Sequence, residues 1–126
     1  MQKVIINTGL APSPIGPYSQ AVVAGGFLFM SGQIALDPVS GALVTDSIES
    51  ETMQVMNNLK AVLQEAGYDF ANVVKSTIFL SDMGLFAAVN EIYGSFFDSD
   101  FPARETVAVK TLPRSVNVEI SMIAFK

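Results

Sequence analysis

Apolar and polar positions alternate along this chain in a way that divides it into eight elements. Residues 4–7 form a short apolar run. Residues 21–24 and 27–34 are β-prone runs separated by Gly25-Gly26, a pair that supplies the positive φ angles of a tight antiparallel hairpin. After the turn Asp37-Pro38-Val39-Ser40-Gly41 the period becomes helical. Ile48, Thr52, Val55, Met56, Leu59, Val62, Leu63 and Ala66 recur on one face and stop at Gly67, a residue suited to a left-handed C-cap. Asp46 or Ser47 starts this helix, with Glu49 three residues after Asp46 as in a capping box. A strand at 74–80 follows, then a helix from about 84 to 97 whose apolar positions are Phe86, Val89, Ile92, Tyr93, Phe96 and Phe97. Aromatics at that spacing read as core, not as a ligand box. Strands at 104–110 and 116–125, joined by Leu112-Pro113-Arg114-Ser115, complete the chain.

The order β-β-β-α-β-α-β-β predicts one α+β domain over residues 1–126, with helices on one side of a single sheet. The other sheet face then needs a cover, most simply further copies of the same chain. Composition points the same way: only 15% of residues are charged, against about a quarter in an ordinary domain, which favours a buried subunit interface. Between the first two strands Gly9, Pro12, Pro14, Gly16 and Pro17 make a shaped loop ending at Tyr18.

Charge and residue usage narrow the chemistry. A net charge of -5 with no basic stripe argues against a nucleic-acid partner. The chain has no cysteine and no histidine, which removes disulfides, thiolate nucleophiles, the usual general base and the commonest transition-metal ligands. Catalysis would run on carboxylates, hydroxyls, backbone amides and water, with no metal or cofactor. The N-terminus turns polar too soon for a signal peptide and no apolar run is long enough to span a membrane, so the expected location is the cytoplasm.

Within that limited set Arg104 stands out as one of two arginines, placed at the start of a strand behind Phe101-Pro102-Ala103. A guanidinium offers a planar fork that matches a carboxylate with two parallel hydrogen bonds and stays charged at ordinary pH. An edge-strand surface arginine has the same spacing, so position alone leaves the two readings open. In the last strand, alternation puts Val116, Val118, Ile120, Met122 and Ala124 on one face and Asn117, Glu119, Ser121, Ile123 and Phe125 on the other. Glu119 is therefore an acid inside a largely apolar strand, and an antiparallel neighbour would carry Arg104 or Thr106 close to it.

Five segments in order, Ile15-Gly16-Pro17-Tyr18-Ser19-Gln20, Met30-Ser31-Gly32-Gln33-Ile34, Ala88-Val89-Asn90, Phe101-Pro102-Ala103-Arg104 and Val118-Glu119-Ile120, resemble the RidA (YjgF) family of reactive-intermediate deaminases over essentially the whole domain. The resemblance favours the functional reading of Arg104. It implies the chorismate-mutase-like fold and a homotrimer with clefts between subunits. It further implies a substrate carboxylate held by Arg104, and a site built from Tyr18, Ser31, Gly32, Asn90, Thr106 and the acid Glu119. The implied activity is hydrolysis of 2-enamine or 2-imine acids to 2-oxo acids and ammonia; the alternative is a sensor that binds 2-oxo acids in the same cleft without turning them over. The ribonuclease activity attributed to some relatives fits poorly with the negative charge and missing histidine. One departure matters: Thr106 stands where many members carry cysteine, so only its backbone amide and hydroxyl are available there.

Overall fold

The computed structural model describes residues 2–126 as a six-stranded mixed sheet with two helices on one face. The strands are β1 (Val4–Ile6), β2 (Ala21–Ala24), β3 (Phe27–Met30), β4 (Val73–Leu80), β5 (Ala103–Ala108) and β6 (Val118–Phe125). The helices are α1 (Ile48–Ala66) and α2 (Phe86–Gly94). The element order is the one the pattern predicts. Spatially the strands run β1-β2-β3-β6-β4-β5. Every neighbouring pair is antiparallel except β4 and β5, which are parallel and connected through α2. Among the described residues no helix is long and apolar enough to cross a membrane.

The core lies between the sheet and α1. Val55, Met56, Leu59, Val62 and Leu63 on α1 are fully buried against Leu28, Ile78, Leu80 and Ile120 from the sheet. Gly67 ends α1 in the left-handed region at φ 81° and donates its amide to the Gln64 carbonyl. The start of α1 corrects the expected capping box. Ser47 and Ser50, not Asp46 and Glu49, exchange side-chain and backbone hydrogen bonds, at 3.0 and 3.2 Å. The second helix is also shorter than its apolar pattern. Asp82 caps a single tight turn at Met83–Leu85, and α2 itself stops at Gly94. Phe96 and Phe97 lie beyond its end and stack around Phe70.

A smaller apolar cluster of Ile34, Leu36, Leu112 and Val116 sits apart from the main core. It backs two segments that the sheet alone would not fix, the continuation of β3 and the approach to β6. Pairing shifts between Phe29↔Ile123 and Gln33↔Ile120, four residues on one side against three on the other. An extra residue therefore falls in residues 30–32, a bulge that ends β3 short of the expected residue 34.

The uncovered sheet face is apolar over much of its area. Phe27, Phe29 and Phe125 are each 40% or more exposed, with ring centroids of Phe27 and Phe125 4.7 Å apart. Val107 lies on the same face by register.

Candidate functional site

Tyr18, Ser31, Gly32 and Glu119 converge on one cleft of about 380 Å³, with Ile15, Ile34 and Pro113 among its apolar walls. The loop bearing Tyr18 is held by a residue that the sequence pattern did not single out, Gln20, which is 2% exposed. Its side-chain oxygen accepts from the Thr8 amide at 2.7 Å, and its nitrogen donates to the carbonyls of Thr8 and Pro12 at 3.0 and 2.9 Å. Ser31 tightens the same junction by donating its hydroxyl to the Ser19 carbonyl at 2.6 Å. That proton is committed to the fold, and the Ser31 oxygen retains capacity to accept. Tyr18 stays half-exposed, its hydroxyl accepting from the Ile15 amide at 3.3 Å.

Glu119 projects from the start of β6 over Gly32. A side chain at position 32 would overlap the Glu119 carboxylate, its Cβ lying 2.9 Å from Cδ. Glycine is required here so that this carboxylate can approach the backbone closely. Burial pushes the Glu119 carboxyl above the ordinary carboxylate range. No cation relieves it, since the one ion pair among the described residues joins Lys75 and Glu105 at 3.2 Å.

The remaining predicted residues lie elsewhere. Arg104 and Asn90 border a second cavity of about 330 Å³ together with Tyr93, Phe101 and Pro102. The Arg104 guanidinium rests 5.1 Å from the Tyr93 ring centroid and 5.5 Å from that of Phe86. The two rings form an aromatic seat that orients the fork and leaves its donors free. Tyr93 is fixed in turn by donating its hydroxyl to Ser76 Oγ at 2.8 Å. Burial raises the Tyr93 pKa, opposed by that hydrogen bond and by the charge of Arg104. Thr106 lines neither cavity. Its Oγ1 is buried without a partner, and its amide is turned out from the sheet edge. That direction follows by alternation, because Val109 donates inward to the Leu80 carbonyl at 2.9 Å.

The expected closeness of Arg104 or Thr106 to Glu119 is corrected by the topology. β5 is the parallel neighbour of β4, and β4 separates it from β6. Register places Arg104 beside Ser76 and Met122, on the helix face, and Glu119 beside Phe79, on the open face. Within one chain the guanidinium and the carboxylate thus lie on opposite sides of the sheet.

These features accompany a close likeness to known proteins. A family model described as endoribonuclease L-PSP matches residues 8–126. The chain belongs to this family, the RidA (YjgF) proteins. A goat relative named 2-iminobutanoate/2-iminopropanoate deaminase is 47% identical over 95% of this chain and 88% of its own length. A Lactococcus lactis protein named as a candidate regulator, AldR, is 50% identical over 95% of both chains. The crystal structure of E. coli TdcF with bound serine superposes with a TM-score of 0.93, at 38% identity over 98% of each chain. The family therefore includes members named as imine deaminases and members named as regulators.

Proposed function

We propose that this protein hydrolyses 2-enamine and 2-imine acids, such as 2-aminoacrylate or 2-aminocrotonate, to 2-oxo acids and ammonia, in clefts formed between the subunits of a homotrimer. The observation that carries this reading is a pair of uncommitted opposite charges. Arg104 sits on its aromatic seat without a carboxylate, and Glu119 sits over Gly32 without a cation. They face opposite sides of one sheet, so a site using both draws them from two chains. The apolar open face bearing Phe27, Phe29 and Phe125 supports such an assembly.

The division of labour follows from the chemistry of the groups. Arg104 anchors the substrate carboxylate, with the outward amide of Thr106 as a second donor, while Asn90 and Tyr18 border the approach. The imine carbon is already electrophilic, so it needs an oriented water and a route for protons. Glu119 takes a proton from the water as its oxygen bonds to C2, then passes that proton to nitrogen. The proton of the new hydroxyl then passes through Glu119 to the amine, the C–N bond breaks as the carbonyl forms, and ammonia leaves. A carboxyl with a raised pKa suits both halves of that exchange.

The named activity of the goat relative supports the reaction, and serine bound to TdcF supports recognition of a ligand with an α-carboxylate. The name of the relative AldR favours one competing reading, a sensor that binds 2-oxo acids without turnover. Imines generated in place from several amino acids by an oxidase separate the two. Faster ammonia release in the presence of the protein supports the deaminase. Saturable 2-oxo acid binding with no acceleration would assign the sensor role.

A further inference from the structure

Glu51 is a charged residue in the most buried stripe of α1, with no exposed surface and no cation beside it among the described residues. Its carboxylate is satisfied entirely by the start of β6. Oε2 accepts from the amides of Asn117 and Val118 at 2.7 and 3.1 Å, and Oε1 accepts from Asn117 Nδ2 at 2.9 Å. Placement in the first turn of α1 favours the negative charge there. Asn117 extends the grip to β4, since Ser81 Oγ and the Asn117 side-chain oxygen lie 3.0 Å apart and the Ser81 amide donates to the Asn117 carbonyl at 2.9 Å.

What this carboxylate holds is the lead-in to Glu119. The preceding strap, Pro113–Ser115, contains two consecutive non-glycine residues in the left-handed region, Arg114 and Ser115, each at φ 56°. Such residues persist only where the surroundings fix them. The strap also contributes Pro113 to the wall of the Glu119 cleft. A buried anion that fixes Asn117 and Val118 therefore fixes both the strap on one side and, two residues on, the side chain over Gly32.

We propose that Glu51 is a positioning residue for Glu119, acting through hydrogen bonds to residues 117 and 118; this rests on the proposed function only for its catalytic consequence. Lys75 and Glu105, the charged pair that shares the open sheet face with Glu119, are 3.2 Å apart. Arg114 on the strap is exposed, and Tyr18 is the other titratable group lining the cleft.

The test compares Glu51→Ala, Glu51→Gln and Asn117→Ala with wild type by thermal melting, oligomeric state, imine kinetics and carbon-13 NMR titration of Glu119, assigned with Glu119→Gln. Glu51→Ala should lower kcat by about tenfold or more with KM within about twofold, and should move the Glu119 titration down towards its ordinary range. Glu51→Gln should keep both readouts near wild type. Its amide oxygen can hold the two backbone bonds, and Asn117 can turn its own amide because Ser81 can donate or accept. A folded Glu51→Ala protein with unchanged Glu119 titration and unchanged kcat overturns the proposal. So does a Glu51→Gln protein as impaired as Glu51→Ala, which would assign the effect to lost charge. Should Glu51→Ala fail to fold, Asn117→Ala decides: a smaller shift in the same direction supports positioning, and none overturns it. If wild type hydrolyses no imine while the Glu119 titration still moves, positioning stands and the deaminase reading falls.

Discussion

Replacing Gly32 by alanine separates the two things glycine could provide here, room for Glu119 and close approach of a ligand to the backbone. The added Cβ meets the far end of a flexible side chain: Cδ of Glu119 at 2.9 Å and Cγ at 3.1 Å, with no backbone atom among its nearest contacts. The strain is relieved by rotating Glu119, at about 0.5–1.5 kcal/mol for an unfavourable rotamer. For a domain of this size that is a shift in Tm of only ~2–8 °C. Position 32 is not in the left-handed region, so alanine meets no backbone penalty there. The fold should survive.

Activity should not. A carboxylate displaced from the cleft no longer shares a proton with the reacting water, and loss of a positioned acid–base group costs about 10²–10⁴ in rate, or roughly 3–5 kcal/mol. The chemical penalty exceeds the folding penalty several-fold, so Gly32→Ala should give a folded protein with kcat at least about a hundredfold down. Single-turnover decay of a pre-formed imine measures this without interference from the oxidase. The double variant supplies the sharper control. If alanine acts only through Glu119, Gly32→Ala combined with Glu119→Gln should be no worse than Glu119→Gln alone. A further tenfold loss in the double variant would show that the glycine serves ligand approach to the backbone. A Gly32→Ala protein within about threefold of wild type would refute the placement of Glu119 in the chemistry.

Arg104→Lys keeps the charge but loses both the fork and its stacking on Phe86 and Tyr93, so kcat/KM should fall at least about thirtyfold, for a contact of about 2 to 5 kcal/mol, in an intact assembly. Unchanged turnover and 2-oxo acid affinity would remove the anchor. Sedimentation should find a trimer at micromolar concentration, and a stable monomer would remove both the assembly and the shared cleft. Glu119→Gln should raise stability at neutral pH while abolishing activity. The folded-state pKa of Glu119 lies above its unfolded value of 4.5, so its protonated form favours folding below that value and the advantage is lost as pH rises through the folded pKa. Glutamine stays neutral throughout, so urea titrations of the two proteins should converge at low pH, separate as pH rises from 4.5 through the folded pKa, and keep a constant separation above it. Parallel stability curves across the rise from pH 4.5 through the folded pKa would contradict the burial of a charge at this position.

The helical run that ends at Gly67 and the alternating faces of β6 are legible in the sequence because period and glycine conformation are local properties. The capping box is less so, because Asp46 with Glu49 and Ser47 with Ser50 offer overlapping candidates and the direction in which the chain enters α1 chooses between them. Glu51 shows a different limit. Three residues after Ile48 and four before Val55, it falls on the apolar stripe, where a charged residue is ordinarily read as the edge of the buried face. Only the long-range partners at residues 117 and 118 reveal it as core. The relation of Arg104 to Glu119 was the least accessible. Neighbours in sequence suggest a β5–β6 hairpin, whereas β6 inserts between β3 and β4 and leaves β5 parallel at the edge. Strand insertion is decided by which faces bury best across the whole sheet, and no local pattern encodes it.

The distribution of satisfied and unsatisfied polar groups separates the part of this molecule that holds the fold from the part that is open to a ligand. Gln20, Glu51, Asn58 and Ser76 are all buried, and each is met by named partners: loop carbonyls, the β6 amides, the carbonyls of Ile34 and Leu36, and the Tyr93 hydroxyl. Burial of polar groups is tolerated on that condition. Among the described residues, Thr106, Glu119 and Arg104 lack such partners. Thr106 Oγ1 is buried and unpartnered, the Glu119 carboxyl is half-buried with no cation, and the Arg104 fork has no carboxylate. These are the residues for which the fold supplies orientation without a partner, Arg104 through its two rings and Glu119 through Gly32. Oriented groups left unpaired raise the energy of the free protein, and a ligand presenting a carboxylate to one and a proton-exchanging centre to the other relieves both at once. Because one sheet holds them on opposite faces, the proposed reading places that relief where two chains meet.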